Sequence, residues 1–125
     1  MMDLDHFKSI NDEYGHLTGD FVLRELAILL AQRVRREELL ARYGGEEFVL
    51  VLPETRLDGA QAYAEALRKM IEEHDFRFEG QHLQVTVSIG VAAFDPDMVR
   101  PTDLVAADDE MLYEAKNSGR NRVTP

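Results

Sequence analysis

Gly44-Gly45-Glu46-Glu47-Phe48 stands between two strand-like runs, Ala41-Arg42-Tyr43 before it and Val49-Leu50-Val51-Leu52 after it. Such runs meeting at a Gly-Gly pair predict a β-hairpin, because glycine takes positive φ at a turn without steric penalty. Two carboxylates directly behind the turn, against a strand that enters the core, are unusual for a plain hairpin. Like charges beside an apolar wall repel each other and lose solvation, and a divalent cation relieves both effects. The competing reading is a solvated turn whose acids simply face water.

Outward from that hairpin the elements follow by period. Toward the N-terminus, Leu23, Leu26, Ala27, Leu30 and Val34 mark one face of a helix over Asp20–Val34. Before it lies a polar stretch, Lys8–Gly19, read as a loop, and before that Met1–Asp5 reads as a strand. A strand starting at residue 1 implies a chain that begins inside its own sheet. Toward the C-terminus, Asp58 is placed to cap a helix running to Glu73, with Tyr63, Ala64, Leu67 and Ile71 facing inward. Val85, Val87, Ile89 and Val91 alternate as a strand with one face in the core. A last helix over Thr102–Asn117 buries Leu104, Ala107, Met111, Leu112 and Ala115, and Gly119 sits where a left-handed stop belongs. Arg122–Thr124 closes as a strand. Hairpins mixed with crossovers predict an α+β fold, a central mixed and mainly antiparallel sheet covered by helices.

The 125 residues suffice for one domain with one core. No run approaches the roughly 20 apolar residues of a membrane span, and the start lacks the basic and apolar regions of a secretory signal. With no cysteine, disulfide and thiolate chemistry are excluded, which suits a reducing cytoplasm. A formal charge of −10 opposes nonspecific attraction to nucleic acid or to an anionic membrane. An anionic substrate therefore needs local basic residues or bridging metal ions.

Asp3 and Asp5 alternate around Leu4, so a continuing strand sends both carboxylates to one face. Alone they read equally as solvated strand-end acids. Joined to Glu46 and Glu47 they would form a hard-oxygen site for Mg²⁺ or Mn²⁺, and two such ions about 3.5–4 Å apart suit phosphoryl transfer. Lys116 and Arg120 end the last helix, where its dipole favours cations. The alternative is a phosphate clamp, Arg120 offering a bidentate fork and Lys8 and Lys116 point charges. Asn11 and Asp20 bracket the polar stretch either as turn and capping residues or as readers of a base. An ionised Asp accepts two hydrogen bonds and donates none, which matches the N1–H and exocyclic amine of guanine and not the edge of adenine.

Several blocks together resemble the GGDEF domains of bacterial diguanylate cyclases. They are Asp3-Leu4-Asp5-His6-Phe7-Lys8-Ser9-Ile10-Asn11-Asp12, Gly15-His16, Gly19-Asp20, Arg42 through Phe48, Thr86 through Val91, Ala107-Asp108 through Tyr113-Glu114-Ala115-Lys116, and Gly119-Arg120-Asn121-Arg122. Glu46 occupies a signature position that holds either Asp or Glu. The resemblance implies a sheet similar to the palm of nucleotide cyclases and polymerases. It also implies that two GTP condense to cyclic di-GMP, a second messenger, with release of two pyrophosphates between two facing domains of a homodimer. By resemblance, Asp3, the Leu4 carbonyl, Glu46 and Glu47 hold two Mg²⁺ or Mn²⁺ ions per site. Glu46, Glu47, Asp3 and Lys8 are then the catalytic set, Glu47 serving the metal or the attacking 3′-hydroxyl. Asn11 and Asp20 read guanine, Lys8, Lys116 and Arg120 bind phosphates with backbone amides near His6 and Phe7, and Gly44 and Gly45 let the nucleotide approach.

Two departures from the family pattern stand out. Its usual N-terminal helix, opened by Asp-x-Leu-Thr-Gly-Leu-x-Asn-Arg, does not precede Met1, which implies a truncated domain. Its product-inhibition motif, Arg-x-x-Asp, is represented by Arg35-Arg36-Glu37-Glu38, a degenerate site with Glu38 in place of Asp. The rival readings are a non-catalytic receptor for GTP or cyclic di-GMP and a regulatory dimerisation module.

Overall fold

The computed structural model describes residues 1–125. Seven strands and four helices follow in the order β1 (Met2–Leu4), α1 (Phe7–Tyr14), α2 (His16–Ala31), β2 (Leu39–Arg42), β3 (Glu47–Val51), α3 (Leu57–Glu73), β4 (Phe76–Phe78), β5 (Gln81–Leu83), β6 (Val87–Gly90), α4 (Pro101–Asn117) and β7 (Val123–Thr124). The main sheet has strand order β2-β3-β1-β6-β7, antiparallel except for the β6–β7 pair. This is the mixed, mainly antiparallel sheet that the element order predicts, with the short first strand at its centre.

The register divides the sheet into two faces. Met2 lies opposite Phe48 and Ile89, and Leu4 opposite Val87. These side chains join Val22, Leu23, Leu26 and Leu30 of α2 and Ala60, Ala64, Leu67 and Ile71 of α3 in one buried core. Fully burying a side chain such as Leu26 or Ile71 contributes about 1.5–3 kcal/mol. Asp3, Ser88 and Gly90 point the other way, toward α4, which lies so close that a β-carbon on Gly90 would meet the Leu112 amide nitrogen and the Asp108 carbonyl. The strand read as half-buried is thus covered on both faces, and Ser88 is as inaccessible as Val87.

Four local expectations need correction. The polar loop is helical: α1 takes up Phe7–Tyr14 around the buried Ile10, and Gly15, at φ 94°, separates it from α2. With only Phe7, Ile10 and Tyr14 apolar, its stripe is too short to stand out from sequence. The second correction follows: α2 starts at His16 and stops at Ala31, so Val34 lies beyond it. Asp58 does not cap α3, because the helix begins one residue earlier and Asp58 falls within its first turn. Finally, a small β4–β5 hairpin went unread. Its Glu79-Gly80 turn has both φ values positive, and Phe78 stacks on Phe21 of α2 with ring centroids 5.0 Å apart. No helix is long and apolar enough to cross a membrane.

Candidate active site

The hairpin of β2 and β3 forms with Arg42 opposite Phe48, but its glycines act differently from the expectation. Neither Gly44 nor Gly45 has positive φ. The connection is a wider loop in which the Glu47 carbonyl accepts from both Tyr43 N–H (2.8 Å) and Gly44 N–H (3.3 Å). Gly44 leaves room for the Glu47 carboxylate, since a β-carbon there would lie 2.7 Å from Glu47 Oε2 and that side chain would have to turn aside. Arg42 folds over the loop, its Nη2 donating to the Gly45 carbonyl at 2.6 Å and its Nε to the carbonyls of Gly44 and Gly45 at 3.2 Å. Its guanidinium fixes the backbone next to both acids, a role the sequence reading did not assign.

Pairing between β1 and β3 then places Asp3 directly opposite Glu47, while Leu4 N–H donates to the Glu46 carbonyl at 3.2 Å. Like charges directly opposite each other on one face are destabilising without a cation. Lys116 of α4 supplies one, its Nζ 3.0 Å from Asp3 Oδ2. Burial nevertheless dominates: the Asp3 carboxyl is pushed up to about 6, with Lys116 pulling it down and Glu46 and Glu47 adding to the rise. Asp5 also turns toward the α4 side, yet it meets only neutral donors, from Thr86 Oγ1 (2.7 Å), Ser88 Oγ (2.6 Å) and Asn121 N–H (3.0 Å). The two acids share a face and have different surroundings.

The donor set fits a hard divalent cation. Asp3, Glu46 and Glu47 offer carboxylate oxygens, and the ammonium against Asp3 shows that the position holds positive charge. No three acidic or histidine side chains are close enough to enclose an ion by themselves. Water and substrate oxygens would therefore have to complete the shell of any ion held there.

The remaining candidates lie on α1, α2 and α4. His6 takes a left-handed backbone (φ 54°) at the start of α1, and its carbonyl accepts from Ile10 N–H. Phe7 packs against the core. Lys8 is exposed, its Nζ 3.9 Å from Asp12 one turn on. Asn11 lies over Gly19, the residue before Asp20, where any β-carbon would collide with its Oδ1. Asp20 is exposed at a cavity of about 610 Å³ that it lines with Leu23, Arg24, Leu40, Arg42 and Phe48. Arg120 is exposed, held by its backbone N–H on the Ala115 carbonyl (3.0 Å). A larger apolar cavity of about 660 Å³ contains none of the candidate residues. Glu38 curls back so that its Oε2 accepts Arg35 N–H at 2.8 Å, while Arg35 Nε is 3.8 Å from Oε1. Tyr63 Oη also reaches that carboxylate at 3.4 Å.

The family model described as "Diguanylate cyclase, GGDEF domain" matches residues 1–122. The chain belongs to the GGDEF domain family. Among relatives, this GGDEF domain is 45% identical over 124 residues to diguanylate cyclase A of Treponema denticola, covering 99% of the chain and 33% of that protein. It is 46% identical over 125 residues to the response regulator PleD of Caulobacter vibrioides, covering 98% of the chain and 28% of that protein. The chain thus spans about a third of the length of such relatives. Among solved structures, the GGDEF domain of DgcB from Caulobacter crescentus, in complex with c-di-GMP, superposes with a TM-score of 0.94 at 33% identity, covering 98% of this chain and 73% of that one. The active GGEEF domain of a diguanylate cyclase from Vibrio cholerae gives 0.89 at 36% identity, covering 98% and 78%. The fold class expected from the sequence is therefore that of the GGDEF family.

Proposed function

We propose that this GGDEF domain is the catalytic half-site of a diguanylate cyclase, two copies of which condense two GTP into cyclic di-GMP and two pyrophosphates. The observation that carries the reading is the register of β1 on β3, which sets Asp3 opposite Glu47 and Leu4 against the Glu46 backbone, with the Lys116 ammonium against Asp3. Supporting it, diguanylate cyclase A of Treponema denticola is 45% identical to this chain, and the GGEEF domain of a Vibrio cholerae diguanylate cyclase shares its fold at 36% identity.

In this reading Asp3, the Leu4 carbonyl, Glu46 and Glu47 hold Mg²⁺ or Mn²⁺. The bound ions would neutralise triphosphate charge and polarise the α-phosphate. Asn11 and Asp20 fix the guanine; Lys8, Lys116, Arg120 and the amides near His6 and Phe7 take the phosphates. The 3′-oxygen of one GTP attacks the α-phosphorus of the other. A P–O bond forms, the bond to the β-phosphate oxygen breaks, and pyrophosphate leaves with the electron pair. Glu47 accepts the hydroxyl proton. One site holds one GTP, so ring closure requires a facing second domain. Product guanine matches Asn11 and Asp20 as well as substrate guanine does, so cyclic di-GMP competes with GTP here. Arg35 and Glu38, already engaged with each other, contribute little to product binding.

Incubation of the purified chain with GTP and Mg²⁺, followed by product chromatography, tests the reading: cyclic di-GMP is expected, and GTP left unchanged at micromolar protein would refute it. Glu46→Gln removes one metal-binding charge, so turnover is expected to disappear while the melting curve stays cooperative.

A further inference from the structure

Gly119, Arg120 and Asn121 carry three consecutive positive φ angles, 121°, 63° and 44°. Glycine adopts such values freely and Asn more readily than most residues, whereas Arg does so only when the surroundings enforce it. Arg120 N–H on Ala115 O closes the end of α4 in the manner of a Schellman stop. What holds Asn121 comes from elsewhere in the chain. Its N–H donates to Asp5 Oδ2 at 3.0 Å, its Nδ2 to Glu72 Oε1 at 2.6 Å, and its Oδ1 accepts from Arg68 Nη1 at 2.7 Å. Arg68 is itself buried and gripped by Glu65 and Glu72, each at 2.8 Å. Asp5 is buried with its other acceptor positions taken by Thr86 and Ser88.

The C-terminal end of α4 and the turn after it are therefore tied to the first segment twice, by Lys116 to Asp3 in β1 and by Asn121 to Asp5 just beyond that strand. The ties differ in kind. The first joins two groups that the proposed reaction needs for other partners, so ligand binding would break it. The second uses a backbone donor and a carboxylate saturated by neutral donors, and nothing in that reaction competes for it.

We infer that Asp5, Asn121 and Arg68 are positioning residues that keep Arg120 aimed at the nucleotide phosphates when Lys116 leaves Asp3. The inference rests on the GTP reading above and deepens it. Asn121 touches no substrate; it acts through Arg120.

A double-mutant cycle on the full chain tests this, with calorimetric binding of a non-hydrolysable GTP analogue in Mg²⁺ and NMR titration with guanosine. Asn121→Ala is expected to weaken the GTP analogue roughly tenfold and to leave guanosine binding unchanged, because guanosine has no phosphate for Arg120 to hold. In an Arg120→Ala background the same change is expected to add nothing. Asn121→Gly, which tolerates the left-handed backbone and keeps the N–H on Asp5, should restore part of the affinity. It also serves as the reporter if Asn121→Ala melts without cooperativity. Unchanged analogue affinity in Asn121→Ala, equal weakening of analogue and guanosine, or a full tenfold loss persisting without Arg120 would each overturn the positioning role. Wild type that fails to bind the analogue would instead overturn the nucleotide reading, and this inference with it.

Discussion

At Asp3, stability and function pull in opposite directions. Its carboxyl is raised from 3.8 to about 6, chiefly by burial. That rise corresponds to about 3 kcal/mol of preference for the neutral form. The folded protein holds the proton more tightly than the unfolded chain, so this group stabilises the fold below about pH 4 and loses that contribution as pH rises through 6. Asp3→Asn is therefore expected to be more stable than wild type at pH 7.5. The gain is about 1–2 kcal/mol after the weaker contact with Lys116 is counted, and it should vanish near pH 4. Urea midpoints at the two pH values check this, and a gap independent of pH would rule out charge burial as its source. Asp20 presents the opposite case, an exposed carboxylate at a cavity mouth. Removing its paired hydrogen bonds in Asp20→Ala should weaken GTP by roughly 10- to 150-fold, equivalent to about 1.5–3 kcal/mol. Equal affinities by calorimetry would remove Asp20 from the guanine site.

Among the elements, α4 matters most, because it brings Lys116 to Asp3 and leads into Arg120 and Asn121. Its seat is Gly90, where a β-carbon would also come within 2.9 Å of Leu112 Cα. Backbone atoms there cannot give way as a flexible side chain would. Gly90→Ala should push α4 off β6, lowering stability by about 1–3 kcal/mol and weakening GTP together with it. A stable variant with intact nucleotide affinity would show that α4 has slack. Period alone marked α3 well, since Ala64, Leu67 and Ile71 repeat over several turns, but in α4 only Leu112 and Ala115 of the expected face are buried, with Leu104, Ala107 and Met111 half-buried. It passed over α1 because one buried residue, Ile10, does not make a stripe. It passed over the β4–β5 hairpin because three-residue strands give almost no alternation to count.

For the whole molecule, the proposed reaction sets a constraint, since on that reading one chain carries one half-site. When dimers are weak, productive encounters are second order in protein. Specific activity should rise with concentration from nanomolar to micromolar, and further on fusion to a dimeric coiled coil, which raises the effective concentration. A flat profile would mean that a competent dimer is already formed at the lowest concentration. The net charge of −10 acts in the same direction, since two such domains repel each other at low salt.

Local sequence determined the hairpin that carries Glu46 and Glu47, because turn and strand preferences act over a few residues. It also determined the inward faces of the longer helices, because a 3.6-residue period is visible without any partner. The candidate residues could be named from their motifs, but not their relations. That Asp3 faces Glu47 depends on a register between strands more than 40 positions apart. That Lys116 meets Asp3 while Asn121 meets Asp5 depends on how closely α4 packs at Gly90. The raised carboxyl of Asp3 arises only when core and helix together exclude water from it. Gly44 illustrates the same limit, since it has no positive φ and its small size instead leaves room for the Glu47 carboxylate. Charge, burial and close approach are properties of surfaces brought together, and pairing at long range creates them.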